Sequence, residues 1–213
     1  MSQTVDKSSD KTNTQLKERF HIRIFIFPII MIAVLTAFDQ LTKYIIAGIY
    51  KLYESKNIIP HVLSFTYIRN TGVAWGMFKG KRIIFLLLTI ITLLFCVYIY
   101  SNIADNRKYR LLRISLIVLI SGALGNMIDR IKLGYVIDFF DVDFMDFPVF
   151  NVADIYVVVS MIALFLLLIF KYDNDEFEEI LGIHSKDKKN REDKAEIKDT
   201  NNTDGINDKK EEE

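Results

Sequence analysis

IIFLLLTIITLLFCVYIY, residues 83–100, contains no charged residue. A helix needs about 20 apolar residues to cross a hydrocarbon core of about 30 Å, so this block predicts a membrane span. The chain on either side repeats the pattern. Residues 24–38 are apolar and, after Asp39, Gln40 and Lys43, continue to about Ile49. Residues 111–128 carry one charge, Arg113, near their start, and residues 155–170 carry none. With its flanks, 151–171, the last block is long enough to span. Four transmembrane helices follow. A cleaved signal peptide is the rival for the first block, with Lys17, Arg19 and Arg23 as its basic start. That block is long for a signal peptide, and no small-x-small cleavage site follows it cleanly.

Composition agrees once the residue classes are separated along the chain. The sequence is 51% hydrophobic yet 25% charged, and the two fit together because the charges gather at the ends. Residues 1–21 form a charged N-terminal extension, 22–171 a four-helix membrane domain, and 172–213 a charged tail expected to be disordered, with a short helix around 176–183. Cys96 is the one cysteine, so an internal disulfide is excluded. A net charge of +0 gives no electrostatic footprint for a nucleic-acid partner.

Lys and Arg near the span ends set the orientation. Lys17, Arg19 and Arg23 precede the first span. Arg107, Lys108, Arg110 and Arg113 fill the short second connection, and Lys171 follows the fourth span. The third connection instead carries Asp138, Asp141, Asp143 and Asp146 against Lys132. Both termini are therefore expected in the cytoplasm. The long first connection opposes this with Lys51, Lys56, Arg69, Lys79, Lys81 and Arg82. Within it, Leu63, Phe65 and Tyr67 alternate with Ser64 and Thr66, a strand period. Asn70-Thr71-Gly72 follows as a turn signal, and Trp75 suits a membrane interface. Gly134 reads as a helix stop, and Pro148 falls just before the fourth helix.

Polar groups at membrane depth are costly and usually face a cavity or a partner. Asp39 and Lys43 have i,i+4 spacing, which suits either mutual neutralisation or the positioning of a substrate headgroup. Asn126 and Asp129 share a helix face, and Asp129 beside Arg130 can form an interfacial ion pair. Gly122 and Gly125 permit close helix contact or leave room for a ligand. Asn151-Val-Ala-Asp154 has the form of a capping box. Asp138, in Tyr-Val-Ile-Asp-Phe-Phe, has apolar neighbours on both sides and needs a partner. Asp141, Asp143 and Asp146 read as solvated loop acids. His21, His61 and His184 show no metal-ligand spacing.

The spans place Asp138 and Asp154 at one depth, just past the third helix and at the start of the fourth. Two carboxylates in a poorly solvated site do not both ionise easily. One keeps a proton while the other acts as base. Such a pair can deprotonate water, polarise a peptide carbonyl and protonate a leaving amine. A small transporter would also place Asp and Asn at helix ends, but it needs a polar path, and the second and fourth helices are uncharged. A membrane scaffold explains the helices without explaining the converging acids.

FDQLTKYII (38–46), YIRNTGVAWGMF (67–78), GALGNMIDR (122–130), VIDFFD (136–141) and FNVADIY (150–156) occur in an order and spacing that resembles lipoprotein signal peptidase, the signal peptidase II family of bacterial aspartic membrane proteases. The resemblance covers about residues 22–170. It implies an all-α membrane protein with four transmembrane helices, a small extracytoplasmic β-cradle and a mobile segment over the site. It implies that Asp138 and Asp154 are the catalytic pair, that Asn70, Gly122, Asn126, Arg130 and Asn151 line the substrate pocket, and that Asp39, Lys43 and Asp129 support it. The substrate implied is a prolipoprotein carrying diacylglyceryl-Cys, cut just before that Cys, with membrane lipids around it. No metal or organic cofactor is implied, and globomycin is the expected inhibitor. The location implied is the bacterial cytoplasmic membrane, with the active site near its outer surface. Ser121 stands where the family often has Gly and Val73 where it often has Ala. The two charged tails are longer than the family usually has.

Overall fold

The computed structural model describes the backbone of residues 6–72 and 82–182, with side chains from residue 26 onward. Trp75, the segment expected over the site, the basic side chains before residue 26 and most of the C-terminal tail lie outside the described residues. The described elements are helix α1 (Asp6–Ile49), strands β1 (Ser55–Ile59) and β2 (Leu63–Asn70), helices α2 (Arg82–Asn102) and α3 (Arg110–Lys132), strand β3 (Val136–Val142), and helices α4 (Val152–Phe170) and α5 (Asn174–Ile180).

Among the described residues, four helical stretches are long and apolar enough to cross a membrane: Ile26–Ile49, Arg82–Asn102, Arg110–Lys132 and Val152–Phe170. They fall on the four apolar blocks, and the chain is a multi-pass membrane protein. Burial separates their roles. Over an apolar stretch of 18 residues in each span, 56% of α3 is buried, against 22%, 11% and 17% in α1, α2 and α4, so α3 is the central helix on which the other three pack. The outer helices leave large apolar side chains uncovered, such as Leu94, Val159 and Phe165. Lipid is their solvent, since every backbone polar group inside a helix is already paired.

Small residues let α3 and α4 approach. A Cβ on Gly122 would lie 2.5 Å from the Ala153 carbonyl oxygen and 3.1 Å from Tyr156 Cβ. A Cβ on Gly125 would collide with the Asp39 carboxylate of α1. Helix α3 ends at Lys132, and Gly134 follows at φ +84, the left-handed position that the helix stop required.

The sheet draws on both connections at one end of the bundle. Its order is β1-β2-β3, antiparallel throughout. The strand period at residues 62–68 correctly marked β2, whereas β3 gave no alternation because its first four residues are buried together. Ile137 and Phe139 pack with Ile46, Tyr67 and Val152 in one apolar cluster. This cluster seats the sheet on α1 and α4. One irregularity in the β2–β3 pairing matters below. Leu63 to Phe65 pair with Val142 to Phe140, but Ile68 pairs with Asp138 and Asn70 with Val136. One extra residue therefore sits on β2 between Phe65 and Ile68, a bulge.

The unit from Tyr172 onward contains α5, with a capping box between Asp173 and Glu176. This helix, Asn174–Ile180, overlaps the stretch 176–183 where the sequence suggested a short one.

Candidate active site

Asn151 is the hub of the site. It caps α4, its Oδ1 accepting from the Asp154 amide at 3.0 Å, while Asp154 Oδ2 accepts from the Asn151 amide at 3.1 Å. The capping box read from the sequence is thus present in both halves. Capping accounts for only one of the Asp154 oxygens. Oδ1 accepts instead from Asn126 Nδ2 of α3 at 2.7 Å. The Asn151 Nδ2 group donates to Asp138 Oδ1 at 2.6 Å and to Asn126 Oδ1 at 3.1 Å. One asparagine therefore binds both acids, one by its cap and the other by its amide.

Asp138 reaches this point because β3 is pinned at both ends of the turn. Phe139 and Phe140 amides donate to the Phe150 carbonyl at 3.0 and 2.8 Å, and the Phe150 amide returns to Phe140 at 3.0 Å. That bridge sets Asn151 beside Asp138. The other Asp138 oxygen, Oδ2, accepts from Asn70 Nδ2 at 2.8 Å. The Asn70 amide is itself oriented, because its Oδ1 accepts from the Gly72 amide at 2.9 Å. The β2 bulge is what turns Asn70 to this face. Side chains alternate along a strand, so a shift of one residue exchanges the faces; without it Arg69 would occupy the position diagonal to Asp138.

Asp138 is 2% exposed. Burial, and after it the charge of Asp154, push its carboxyl from an ordinary 3.8 up to about 7. Hydrogen bonds from Asn70 and Asn151 and the Lys43 charge act in the opposite direction. At neutral pH the site therefore holds a carboxyl that is partly protonated beside a second acid.

Behind the two acids lies a buried ionic cluster. Lys43 is 1% exposed, and its ammonium meets Asp39 Oδ2 at 2.9 Å, Asp129 Oδ2 at 3.0 Å and Asn126 Oδ1 at 3.0 Å. All three N–H donors are used. The remaining carboxylate oxygens are satisfied as well. Asp39 Oδ1 accepts from the Ala153 amide at 2.9 Å, and Asp129 Oδ1 accepts from Gln40 Nε2 at 2.8 Å. Buried charges persist only when paired and hydrogen-bonded in this way. The cluster ties α1 and α3 to the first turn of α4, and through Asn126 it fixes the amide that faces Asp154.

The other site residues fall as follows. Asp39 and Lys43 form the expected pair. Asp129 turns to Lys43 rather than to Arg130, because a fully buried ammonium must be paired inside the bundle whereas Arg130 is only partly buried. The Arg130 guanidinium lies over the Phe85 ring at 5.2 Å and is near enough for its charge to act on Asp154 and Asp138. Gly122 lies in the α3–α4 contact. Asp141 lies within β3 and accepts from Thr66 at 2.8 Å, so it is not a solvated loop acid; Asp143, which accepts from Ser64 at 2.8 Å, and Asp146 are exposed in the turn after β3. Gln40, read from the sequence only as part of a polar break in the first span, joins this cluster. It bridges Asp39, the Gly125 carbonyl and Asp129. Its place beside Asp39, on the same polar stripe as Lys43, was the available signal.

Comparison with known proteins matches residues 31–170 to the family model described as signal peptidase (SPase) II. The chain is 42% identical over 147 residues to a lipoprotein signal peptidase of Enterococcus faecalis, covering 69% of this chain and 90% of that protein. It is 42% identical over 163 residues to one of Staphylococcus aureus, covering 75% and 99%. Two solved structures, each described as a bacterial membrane enzyme studied by the in meso method, superpose with a TM-score of 0.62. They are 40% and 39% identical, and the match covers 68% and 70% of this chain and 88% and 96% of theirs.

Proposed function

The chain belongs to the signal peptidase II family of aspartic proteases, and from that premise we propose that it removes the signal peptide from diacylglyceryl-modified prolipoproteins, cutting just before the lipidated Cys. Asp138 and Asp154 are the catalytic pair in this reading. The observation that carries it is the shared asparagine: Asn151 holds one acid by its cap and the other by its amide, at the junction of the sheet with the bundle.

The chemistry follows from one proton held between two acids. The ionised carboxylate takes a proton from water, and the oxygen of that water adds to the scissile carbonyl carbon. The protonated carboxyl donates to the carbonyl oxygen as charge develops there. Collapse of the tetrahedral adduct breaks the C–N bond and sends a proton to the leaving amine of the lipidated Cys. The value of about 7 for Asp138 suits it to hold that proton at neutral pH. Asn70, Asn126 and Asn151 orient the acids, Arg130 and Gly122 border the substrate path, and Asp39, Lys43 and Asp129 keep the frame rigid. Both termini lie in the cytoplasm and the acids near the outer surface, as the distribution of Lys and Arg supports. Membrane lipids surround the site, and globomycin competes for it.

The lipid on the substrate acts chiefly by placement. Moving acyl chains from bilayer to protein recovers little, since both are dry. Fixing the scissile peptide at the depth of the acids is worth several kcal/mol. Mass spectrometry of products from matched diacylglyceryl and unmodified prolipoproteins tests this. The lipidated form should be cut just before the modified Cys and the free-thiol form very slowly. Equal cleavage of both, or a cut elsewhere, would reject the substrate assignment and leave a general membrane aspartic protease.

A further inference from the structure

A cavity of about 510 Å³ opens at the other end of the bundle, where α2 hands over to α3. Its apolar wall includes Phe27 and Pro28 of α1 and Ile114 of α3, and its rim carries Arg107 and Arg110. We propose that this cavity binds an anionic glycerophospholipid, the phosphate on Arg107 and Arg110 and the acyl chains along Phe27 and Ile114.

The charge arrangement points to an anion. Arg113, the third arginine of the lining, is already committed. It is 8% exposed, donates to the Tyr100 hydroxyl at 2.8 Å, lies 4.4 Å from the centre of that ring and pairs with Asp105 at 3.5 Å. Asp105 is the only acid among the described residues of the lining, and Arg113 pairs with it. Among the described residues, Arg107 and Arg110 have no carboxylate partner. Arg110 also opens α3, whose first turn has no acidic residue and no side-chain cap. The positive end of a helix dipole is a poor place for an arginine unless an anion joins it. The volume is that of a small-molecule site. Its position, at the end of two spans with one apolar wall and one basic rim, is that of pockets that take anionic lipid headgroups. The arginine fork fits a phosphate with two parallel hydrogen bonds.

The rival is that these arginines serve only to orient the chain in the membrane. That role needs neither a cavity nor a preference among lipids. The full chain, purified in detergent, is mixed with equimolar dioleoylphosphatidylglycerol and dioleoylphosphatidylcholine, and retained lipid is read by native mass spectrometry. The chain should keep the anionic lipid about tenfold better. The preference should vanish in the double variant Arg107→Gln/Arg110→Gln. It should also weaken in Ile114→Trp, which fills the apolar wall and leaves every arginine in place, so the test survives failure of the double variant to fold. Millimolar inorganic phosphate should not displace the lipid, because the acyl chains contribute to binding. Equal retention of the two lipids, an unchanged preference in the variants, or displacement by free phosphate would overturn the proposal.

Discussion

Asp154 and Asp138 each accept one hydrogen bond at each oxygen. Those of Asp154 come from Asn126 Nδ2 and the Asn151 backbone, and those of Asp138 from Asn70 Nδ2 and Asn151 Nδ2. Asn at either position keeps an acceptor for one donor and sets its own NH2 against the other, at a cost of about 1–3 kcal/mol. Both Asp138→Asn and Asp154→Asn should lose about 10²–10⁴ in cleavage rate, the usual contribution of an acid–base group. Thermal unfolding in detergent should show both variants folded, each less stable than the parent by about 1–3 kcal/mol. Near-normal turnover by either variant at normal expression would remove that residue from the catalytic pair. The pH profile gives a second test. The Asp138 carboxyl titrates at about 7, so kcat/KM should fall as pH rises through that value and the proton leaves. Asn70→Ala removes a hydrogen bond that favours the ionised form, so the proton is held to higher pH and the alkaline limb should move up. A limb that moves down or stays would mean another group controls it. The same sign holds for stability. The contribution of this raised carboxyl is complete below about 3.8 and is lost as pH rises through about 7.

At the scale of elements, the site depends on how closely α1, α3 and α4 approach. Gly125 is the tightest point, since any Cβ meets the Asp39 carboxylate. That carboxylate cannot retreat without releasing Lys43 and the Ala153 amide. Gly125→Ala should therefore destabilise by about 1–3 kcal/mol, the usual cost of overpacking, and should lower activity through the displaced first turn of α4. Gly48, with open space around its Cα, is the control: Gly48→Ala should change the unfolding temperature little. Equal unfolding temperatures for the two variants would show that the α1–α3 contact is looser than these distances imply.

For the whole molecule the prediction concerns which way the bundle faces. The sheet and the acids lie at one end, and the Arg107–Arg113 turn at the other. In a Cys96→Ala background, Asn201→Cys in the tail should resist a membrane-impermeant thiol reagent in intact spheroplasts. Lys56→Cys, on the exposed strand β1, should react. The reverse pattern would invert the orientation and move the acids to the cytoplasmic surface, where the proposed substrate does not present its cleavage site.

The four spans were legible in the sequence because membrane insertion is a local requirement: about 20 apolar residues suffice whatever the rest of the chain does. The Asn151–Asp154 cap was legible for the same reason, being closed within one turn. Asp138 stood out because an acid among Ile137, Phe139 and Phe140 has no local partner. What tertiary structure alone decided is which partner each polar group finds. Asp129 lies next to Arg130 in sequence but binds Lys43, 86 positions away, because both are buried and a buried charge left unpaired is costly. Strand β3 left no alternating pattern since both its faces are covered, and it exists as a strand only when β2 pairs with it. The face that Asn70 presents was set by a bulge of one residue. Strict alternation from Leu63 turns Asn70 away from Asp138, and only the register between two strands separated by more than sixty residues turns it back.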